Sequence, residues 1–520
     1  MANKSLFGST SGRNVPVTDV INEAGGGAYA FSPKHALAQY ASTGCLNSTF
    51  YVTAETQLDK IRGLCNGLDP EFIAKTAVYC RQRGFMKDVP ALLCAILAHR
   101  DVATLERVFD RVIDNGKMLR NFVQIVRSGV AGRRSLGSAP RRLVRNWFEA
   151  RSDDDLFRAS IGRSPSMADV IKMTHPRPRD AGRQALFGYM IGRDHDKAAL
   201  PETVRAFEAF KRGDTEIAPD VPFQFLTSLN LSRSQWEDIA RHATWQTTRM
   251  NLNTFLRHGV FSSPEMVTLI ANRLRDERAI KRARAFPYQL LAAYRSVNDG
   301  VPREILTALE DAMEIATSNV PHLQGKVFIL VDVSGSMHSP ITGQRAGSTS
   351  KVTCVEVAAL FAAALLRKNR DAEVIAFSDD VVRCRLTPRD TIMTNARKLA
   401  SLPSGGTNCS APLKMLNRQQ AKGDMVIYVS DNESWVDWTN RRHPRGTATM
   451  AQWSSFSSRN RDARLVCIDL QPTGSTQATE RGDILNIGGF SDSVFEIVNA
   501  FSRGRLGSGH FVGEIERIEI

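Results

Sequence analysis

Lys326-Val-Phe-Ile-Leu-Val-Asp332-Val-Ser334-Gly-Ser336 is the stretch from which the fold of this 520-residue chain is read. Five consecutive apolar residues between a lysine and a carboxylate predict a strand buried on both faces, since a half-exposed strand would alternate. Three similar runs follow, at 373–378, 425–431 and 464–470, each separated by helical sequence such as 351–369. Strands and amphipathic helices alternating at this spacing predict a doubly wound, mostly parallel α/β sheet. Beyond the first strand, Asp332, Ser334 and Ser336 fall on alternate residues, so extended backbone sends all three side chains the same way. They stand at the carboxyl edge of an open sheet, where such folds bind ligands.

Two further loops bring oxygens to that edge: Gly405-Gly406-Thr407-Asn408 and Ser430-Asp431-Asn432-Glu433. Asp332, Ser334, Ser336, Thr407 and Asp431 together supply three hydroxyls and two carboxylates, without His or Cys. This hard-oxygen set suits Mg²⁺, with water completing the shell. With few charged ligands the ion stays electrophilic, so an acidic group from a partner is able to complete its coordination. The competing account is that Ser334 and Ser336 only cap the helix that follows.

Upstream of residue 318 the texture differs. From 34 to 316 the chain repeats short helices of 3.6-residue apolar period, at 70–83, 89–99, 103–115, 138–150, 181–192, 232–241 and 263–274. Short connections between them predict antiparallel pairs stacked as an all-α solenoid. The change of texture sets two domains, 1–324 and 325–520.

Hydrophobic residues at 42% and charged residues at 23% exclude a wholly disordered or fibrous chain. The eight cysteines show no CxxC pair, which excludes zinc-ribbon and thioredoxin-type motifs and predicts free core thiols in a reducing compartment. The first residues, Met1 to Gly8, lack the apolar core of a signal peptide, and the longest apolar run, 357–366, is too short to span a bilayer. A cytoplasmic protein without membrane attachment is expected. No HExxH, no GxxxxGK[ST] and no paired catalytic Cys/His is found, and Gly25-Gly26-Gly27 lacks the strand and lysine of a phosphate loop. The chain is therefore read as non-enzymatic.

The formal charge is +14, from 68 Lys+Arg against 54 Asp+Glu. Residues 1–320 hold 44 of these cations and 34 of the acids, so +10 lies in the helical part. Between Asp114 and Glu149 there is no acid, yet Lys117, Arg120, Arg127, Arg133, Arg134, Arg141, Arg142 and Arg145 all fall there. Ser138 is expected as an N-cap, with Pro140 in the first turn. At 100° per residue Arg141, Arg142 and Arg145 share a sector opposite Leu143, Val144, Trp147 and Phe148. This predicts a guanidinium face without glutamate partners, matched to phosphate geometry and hence to nucleic acid. A second cluster holds Arg158, Arg163, Lys172, His175, Arg177, Arg179 and Arg183. His175 is read either as a phosphate or base contact or as a helix C-cap before Pro176. A third cluster, 273–284, includes Asp276 and Glu277 and is read as a solvated face. Trp236 and Trp245 are expected in the core.

The Gly132-Arg133-Arg134-Ser135-Leu136-Gly137…Pro140-Arg141-Arg142 and Thr174-His175-Pro176 elements coincide with a basic helical-repeat region. Asn251-Leu252-Asn253-Thr254-Phe255-Leu256-Arg257-His258-Gly259-Val260 and Ala285-Phe286-Pro287-Tyr288 add to them, and the three-loop oxygen set looks like the metal-ion-dependent adhesion site of the von Willebrand factor A fold over residues 325–505. Together these resemble the Ro autoantigen (TROVE-domain) family, in particular a bacterial member. The resemblance implies a ring of HEAT-like helical repeats joined to a Rossmann-like von Willebrand A domain. It also implies a monomer that binds Y-like small RNA on a basic outer surface. Single-stranded ends of misfolded RNA would enter a central hole, in RNA quality control beside an exoribonuclease or RNA-repair enzymes. By position His175 matches the family's RNA-contacting histidine, and Arg158 and Arg163 fall near basic contacts, although Gly162 stands where a strict count wants a cation. The alternative function is a protein-interaction scaffold that uses the metal site to bind an acidic partner.

Overall fold

The computed structural model describes residues 15–43, 46–344, 352–439, 446–490, 493–505, 507 and 509–520. Cys45, Lys351 and the Met1–Gly8 stretch lie outside them. The chain forms two compact units. One gathers the described residues of Met1–Leu64, Leu274–Val297 and Leu306–Glu514; the other holds Cys65–Arg273, Asn298–Ile305 and Ile515–Ile520.

In the first unit, β1 (Val20–Ile21) and β2 (Gly27–Ala30) precede the main sheet strands β3 (Val327–Asp332), β4 (Glu373–Phe377), β5 (Val381–Val382), β6 (Met425–Ser430) and β7 (Arg464–Asp469). Two more strands close the set, β8 (Ser475–Thr476) and β9 (Ile484–Gly488). The six-stranded sheet runs β5-β4-β3-β6-β7-β9 and is parallel except for the antiparallel β5 edge. All residues of β3 and β6 are buried, as their unbroken apolar sequences require. The four strands read from sequence fall within a residue of their expected ends. β5, β9 and the small sheet β1-β2-β8 were not foreseen, being too short or too polar to show a period.

One helix departs from expectation. Cys354–Lys368 is buried without a break from Cys354 to Leu366, so it has no polar face to show amphipathicity. Helices Pro287–Ser296 and Ile392–Ala400 pack on it together with the sheet, and Phe361 stacks on Phe495 at 4.7 Å. The compact units also cut the sequence elsewhere than at residues 324 and 325. β2 pairs with β1 and with β8, so the described residues before Leu64 hydrogen-bond into the α/β unit rather than the helical one.

The second unit is helical, and its breaks are written in caps. Asp69, Asp101, Asn115, Ser152, Ser166 and Asp180 each accept a backbone amide of the helix they open. Gly129, Gly192 and Gly213 close helices in the left-handed region. Ser138 is the first helical residue, not the cap; Gly137, with φ +70°, takes that place and offers no side-chain acceptor. Trp147, Trp236 and Trp245 are buried, as are all described cysteines except half-buried Cys384. Residues Ile515–Ile520 return to this unit, where Lys75 and Arg107 bind the Glu516 and Ile520 carbonyls at 3.1 and 2.6 Å. Among the described residues no helix is long and apolar enough to cross a membrane.

Candidate functional site

β3 lies between β4 and β6, so the chain leaves it on one side and returns on the other. Such a reversal opens a crevice at the carboxyl ends of the two central strands. Asp332 ends β3 and Asp431 follows β6, placing a carboxylate on each lip. Asp332, Ser334, Ser336, Thr407 and Asp431 are all at most 4% exposed.

The loops that carry them are tied together. Gly335 donates its amide to the Gly405 carbonyl at 2.9 Å, joining the Asp332–Ser336 loop to the Gly405–Asn408 loop. The Asp379 carboxylate accepts the Gly406 amide at 2.9 Å and lies where a Cβ at Gly405 would stand, so a side chain there would displace it. The Trp435 amide donates to the Thr407 carbonyl at 3.1 Å, linking the third loop. Asp332 Oδ1 accepts the Ser334 amide at 2.8 Å and Oδ2 accepts the Ser430 hydroxyl at 2.5 Å. The Ser334 and Ser336 hydroxyls are 3.3 Å apart, and Ser334 makes no side-chain cap to the short 3₁₀ turn Gly335–His338. Capping therefore does not account for that serine.

Electrostatically the edge is incomplete. Burial pushes the Asp332 carboxyl up, with the Asp431 charge adding to it, and burial pushes Asp431 up as well. Asp431 Oδ1 accepts the Glu433 amide at 3.4 Å, while Oδ2 is buried with no hydrogen-bond partner among the described residues. A buried oxygen without a donor, beside a second buried carboxylate and three hydroxyls, fits a bound divalent cation.

Sequence reasoning missed the groups around this set. Glu433 is buried and pushed up to about 8, chiefly by burial and then by Asp431; it accepts the Thr473 hydroxyl at 3.0 Å and the Ala24 amide at 3.3 Å. Asp469, at the end of β7, is pushed far up by burial, and the half-buried Tyr51 phenol is pushed up by burial and by the Asp431 charge. Glu433 is two residues from Asp431 and was open to notice. Tyr51 and Ala24, distant in sequence, carry no local signal.

The basic residues singled out from sequence divide into two groups. Arg133 donates to the Ala98 carbonyl at 2.7 Å, and Arg120 to the Ile161 carbonyl. Arg158 pairs with Asp220 at 2.8 Å, Arg142 with Glu106, and Arg145 Nε binds the Thr174 carbonyl at 2.6 Å. The expected guanidinium face without acid partners is thus corrected: of its three members only Arg141 is exposed without a side-chain partner among the described residues, because Glu106 reaches Arg142 from the helix Val102–Val112 and a helix end takes Arg145. Lys117, Arg127, Arg134, Arg163, Lys172, His175 and Arg177 are also exposed. His175 is a C-cap at φ +50°, which leaves its ring in solvent directly after Thr174.

Lys117, Arg127, Arg141 and Lys172 stand on three helices that pack on one another. Met167–Thr174 packs on both Gly116–Ser128 and Ser138–Glu149. Arg127 and Lys172 both lie near enough to Asp169 to lower its carboxyl, behind the larger effect of its bonds to Ser166.

Comparison with known proteins agrees with both halves of this architecture. Residues 326–502 match the Ro60 vWA domain and residues 166–314 the TROVE domain. The chain is 27% identical over 552 residues to the RNA-binding protein RO60 of Deinococcus radiodurans, covering 97% of this chain and all of that protein. RNA-binding protein RO60 of Caenorhabditis elegans is 26% identical over 292 residues, covering 54% of this chain and 43% of the relative. The crystal structure of the Deinococcus radiodurans RO (RSR) protein shares the fold with a TM-score of 0.63 at 23% identity, over 91% of this chain and all of that one. The chain thus carries the TROVE and Ro60 vWA domains that mark the Ro (TROVE-domain) family, and it is similar to a Ro protein over nearly its whole length.

Proposed function

We propose that this chain is a non-catalytic RNA-binding protein. The observation that carries the reading is the set of exposed cations Lys117, Arg127, Arg141 and Lys172 on three helices packed together, with exposed His175 and Arg177 just beyond the end of one of them and no acid between residues 115 and 148. Guanidinium and ammonium groups left without a salt-bridge partner among the described residues are available to phosphate oxygens, which supply most of the affinity for RNA. The names of both curated relatives point the same way. Family resemblance supports the finer features: a Y-like small RNA on the basic surface, single-stranded ends of misfolded RNA in a central hole, and quality control with an exoribonuclease or repair enzyme. A monomer in the cytoplasm rests on the same ground.

The five oxygen-bearing residues Asp332, Ser334, Ser336, Thr407 and Asp431 would hold Mg²⁺, which would supply the positive charge that their two buried carboxylates lack. RNA and metal readings are separable. Fluorescence anisotropy with a structured small RNA, repeated from low to high salt, should show nanomolar-range binding that weakens linearly on a log–log plot. Binding indifferent to salt would refute the phosphate-contact reading.

A further inference from the structure

The turn between helices Pro70–Gln82 and Asp88–Arg100 of the helical unit presents an aromatic ring to solvent. Phe85 is 76% exposed and has φ +53°, a left-handed backbone that bulky residues avoid. Past a helix end that conformation normally falls to glycine. Gly84 stands next door but meets a different demand, since a Cβ there would lie 2.9 Å from the Cys80 carbonyl oxygen. The turn is held on both sides of the ring. The Arg83 amide donates to the Tyr79 carbonyl at 2.8 Å, and the Met86 amide to the Cys80 carbonyl at 3.0 Å. Arg81 Nη1 donates to the Met86 carbonyl at 3.2 Å, while its Nη2 and Nε grip the Asp114 carboxylate at 2.8 and 3.0 Å. Asp114 directly precedes Asn115, the N-cap of helix Gly116–Ser128, and Asn121 of that helix donates to Asp88 Oδ1 at 3.1 Å. The turn is thereby fastened to the half of that helix that carries exposed Lys117. Arg83 and Lys87, each two residues from Phe85, are exposed and enter no salt bridge among the described residues.

We propose that Phe85 is a stacking platform for a base of single-stranded RNA, with Arg83 and Lys87 meeting the phosphates on either side of that base. The inference rests on the RNA-binding reading above and adds to it a contact with bases, which the cations alone do not make. Three observations support it. A strained backbone persists only where its surroundings fix it, and such residues gather at ligand sites; here the hydrogen bonds on both sides of Phe85 do the fixing. An exposed ring on a fixed backbone loses little freedom when a base lies on it, and every base has a π face to offer. Cations beside an aromatic ring are the combination that follows a single strand, whose backbone runs past each stacked base. Bases of a duplex remain stacked on one another, so the ring selects single-stranded segments. Exposure alone does not lead here: Ile217 of the same unit is 81% exposed, but it is flanked in sequence by Glu216 and Asp220, which repel phosphate.

The test uses the full chain with two probes: a short fluorescein-labelled oligoadenylate, and heparin, a polyanion without bases. Phe85→Ala should weaken oligoadenylate binding at least about fivefold, the lower end for losing one aromatic stack. Its heparin affinity and its salt slope for oligoadenylate should match those of the unaltered protein, because no charge is removed. Phe85→Gly, free of the left-handed penalty, should melt no earlier than the unaltered protein yet bind oligoadenylate as weakly as Phe85→Ala. Phe85→Trp should keep the affinity, and its added indole emission should be quenched when oligoadenylate binds. Unchanged oligoadenylate affinity in Phe85→Ala, with binding still steeply dependent on salt, would overturn stacking and leave the phosphate contacts standing. So would an equal loss of heparin affinity, an indole that oligoadenylate leaves unquenched, or an unaltered protein that binds structured RNA but no oligoadenylate. A Phe85→Gly variant that melts earlier would also overturn it, since the ring would then be packing on the protein. If the unaltered protein binds no RNA even at low salt, the RNA reading itself falls and the platform falls with it.

Discussion

Arg145 Nε binds the carbonyl oxygen of Thr174 at 2.6 Å, and Thr174 is the last helical residue before His175. A guanidinium placed on a helix C-terminus satisfies a carbonyl that has no helical partner and meets the negative end of the helix dipole. The same bond fixes the point from which His175 projects in its left-handed conformation. Arg145→Ala should therefore cost about 1.5–3 kcal/mol in urea unfolding, the range for a hydrogen bond to a charged group. It should also weaken RNA binding through His175. Arg141→Glu, one turn away and exposed, should weaken RNA binding with no change in the urea midpoint.

The division of the basic residues into engaged and open groups yields a second expectation. Combining Arg127→Glu, Arg141→Glu and Lys172→Glu removes three exposed cations that no carboxylate among the described residues pairs with in a salt bridge. If each meets one phosphate, the slope of log K against log salt should fall by about 0.7–0.9 for every phosphate that is no longer neutralised. Arg133→Glu should behave differently. It removes a bond to the Ala98 carbonyl and should lower the melting temperature before RNA affinity is in question. Anisotropy at several salt concentrations and thermal melting distinguish the two outcomes.

What was legible in the sequence follows physical range. The strands β3, β4, β6 and β7 were readable because burial on both faces leaves an unbroken apolar run. The oxygen set was readable because three loops each carry a short, local pattern. Arg142 and Arg145 were misread because helical periodicity shows which way a side chain points but not what stands opposite. Glu106 and Thr174 are supplied by other helices. The small sheet of the α/β unit had no sequence signal, since β1, β2 and β8 are two to four residues long and β8 reaches β2 from across most of the chain.

Gly25-Gly26-Gly27 shows the same limit. The absence of a phosphate-loop context was clear from sequence, but the actual demand on these residues is steric. Gly25, at φ +87°, turns the chain between β1 and β2. A Cβ on Gly27 would sit 2.2 Å from the Trp438 ring, and one on Gly26 would sit 2.0 Å from the Ser434 carbonyl. Gly27→Ala should therefore overpack this contact and destabilise the α/β unit by about 1–3 kcal/mol. Calorimetry would show it as a lowered melting temperature, and proteolysis should cut sooner near residues 20–30. An unchanged melting temperature would mean that Trp438 swings aside freely.

Asp431 permits a test in which stability changes sign with the metal. Without a cation, two carboxylates are buried at the crevice, their pKa values raised by burial, and Asp431 Oδ2 has no donor among the described residues. Removing one charge relieves the repulsion, so Asp431→Asn in chelator should melt no earlier than the unaltered protein, and above it if the amide is accommodated. With Mg²⁺ at a hundredfold excess over its dissociation constant, the unaltered protein should gain about 2.7 kcal/mol by mass action. Asp431→Asn should gain far less, having lost a charged ligand. The order of the two melting temperatures should thus reverse between chelator and Mg²⁺. Asp431→Asn melting well below the unaltered protein in chelator would instead mean that the carboxylate is held by protein donors alone, and the cation would lose its main physical reason for being there.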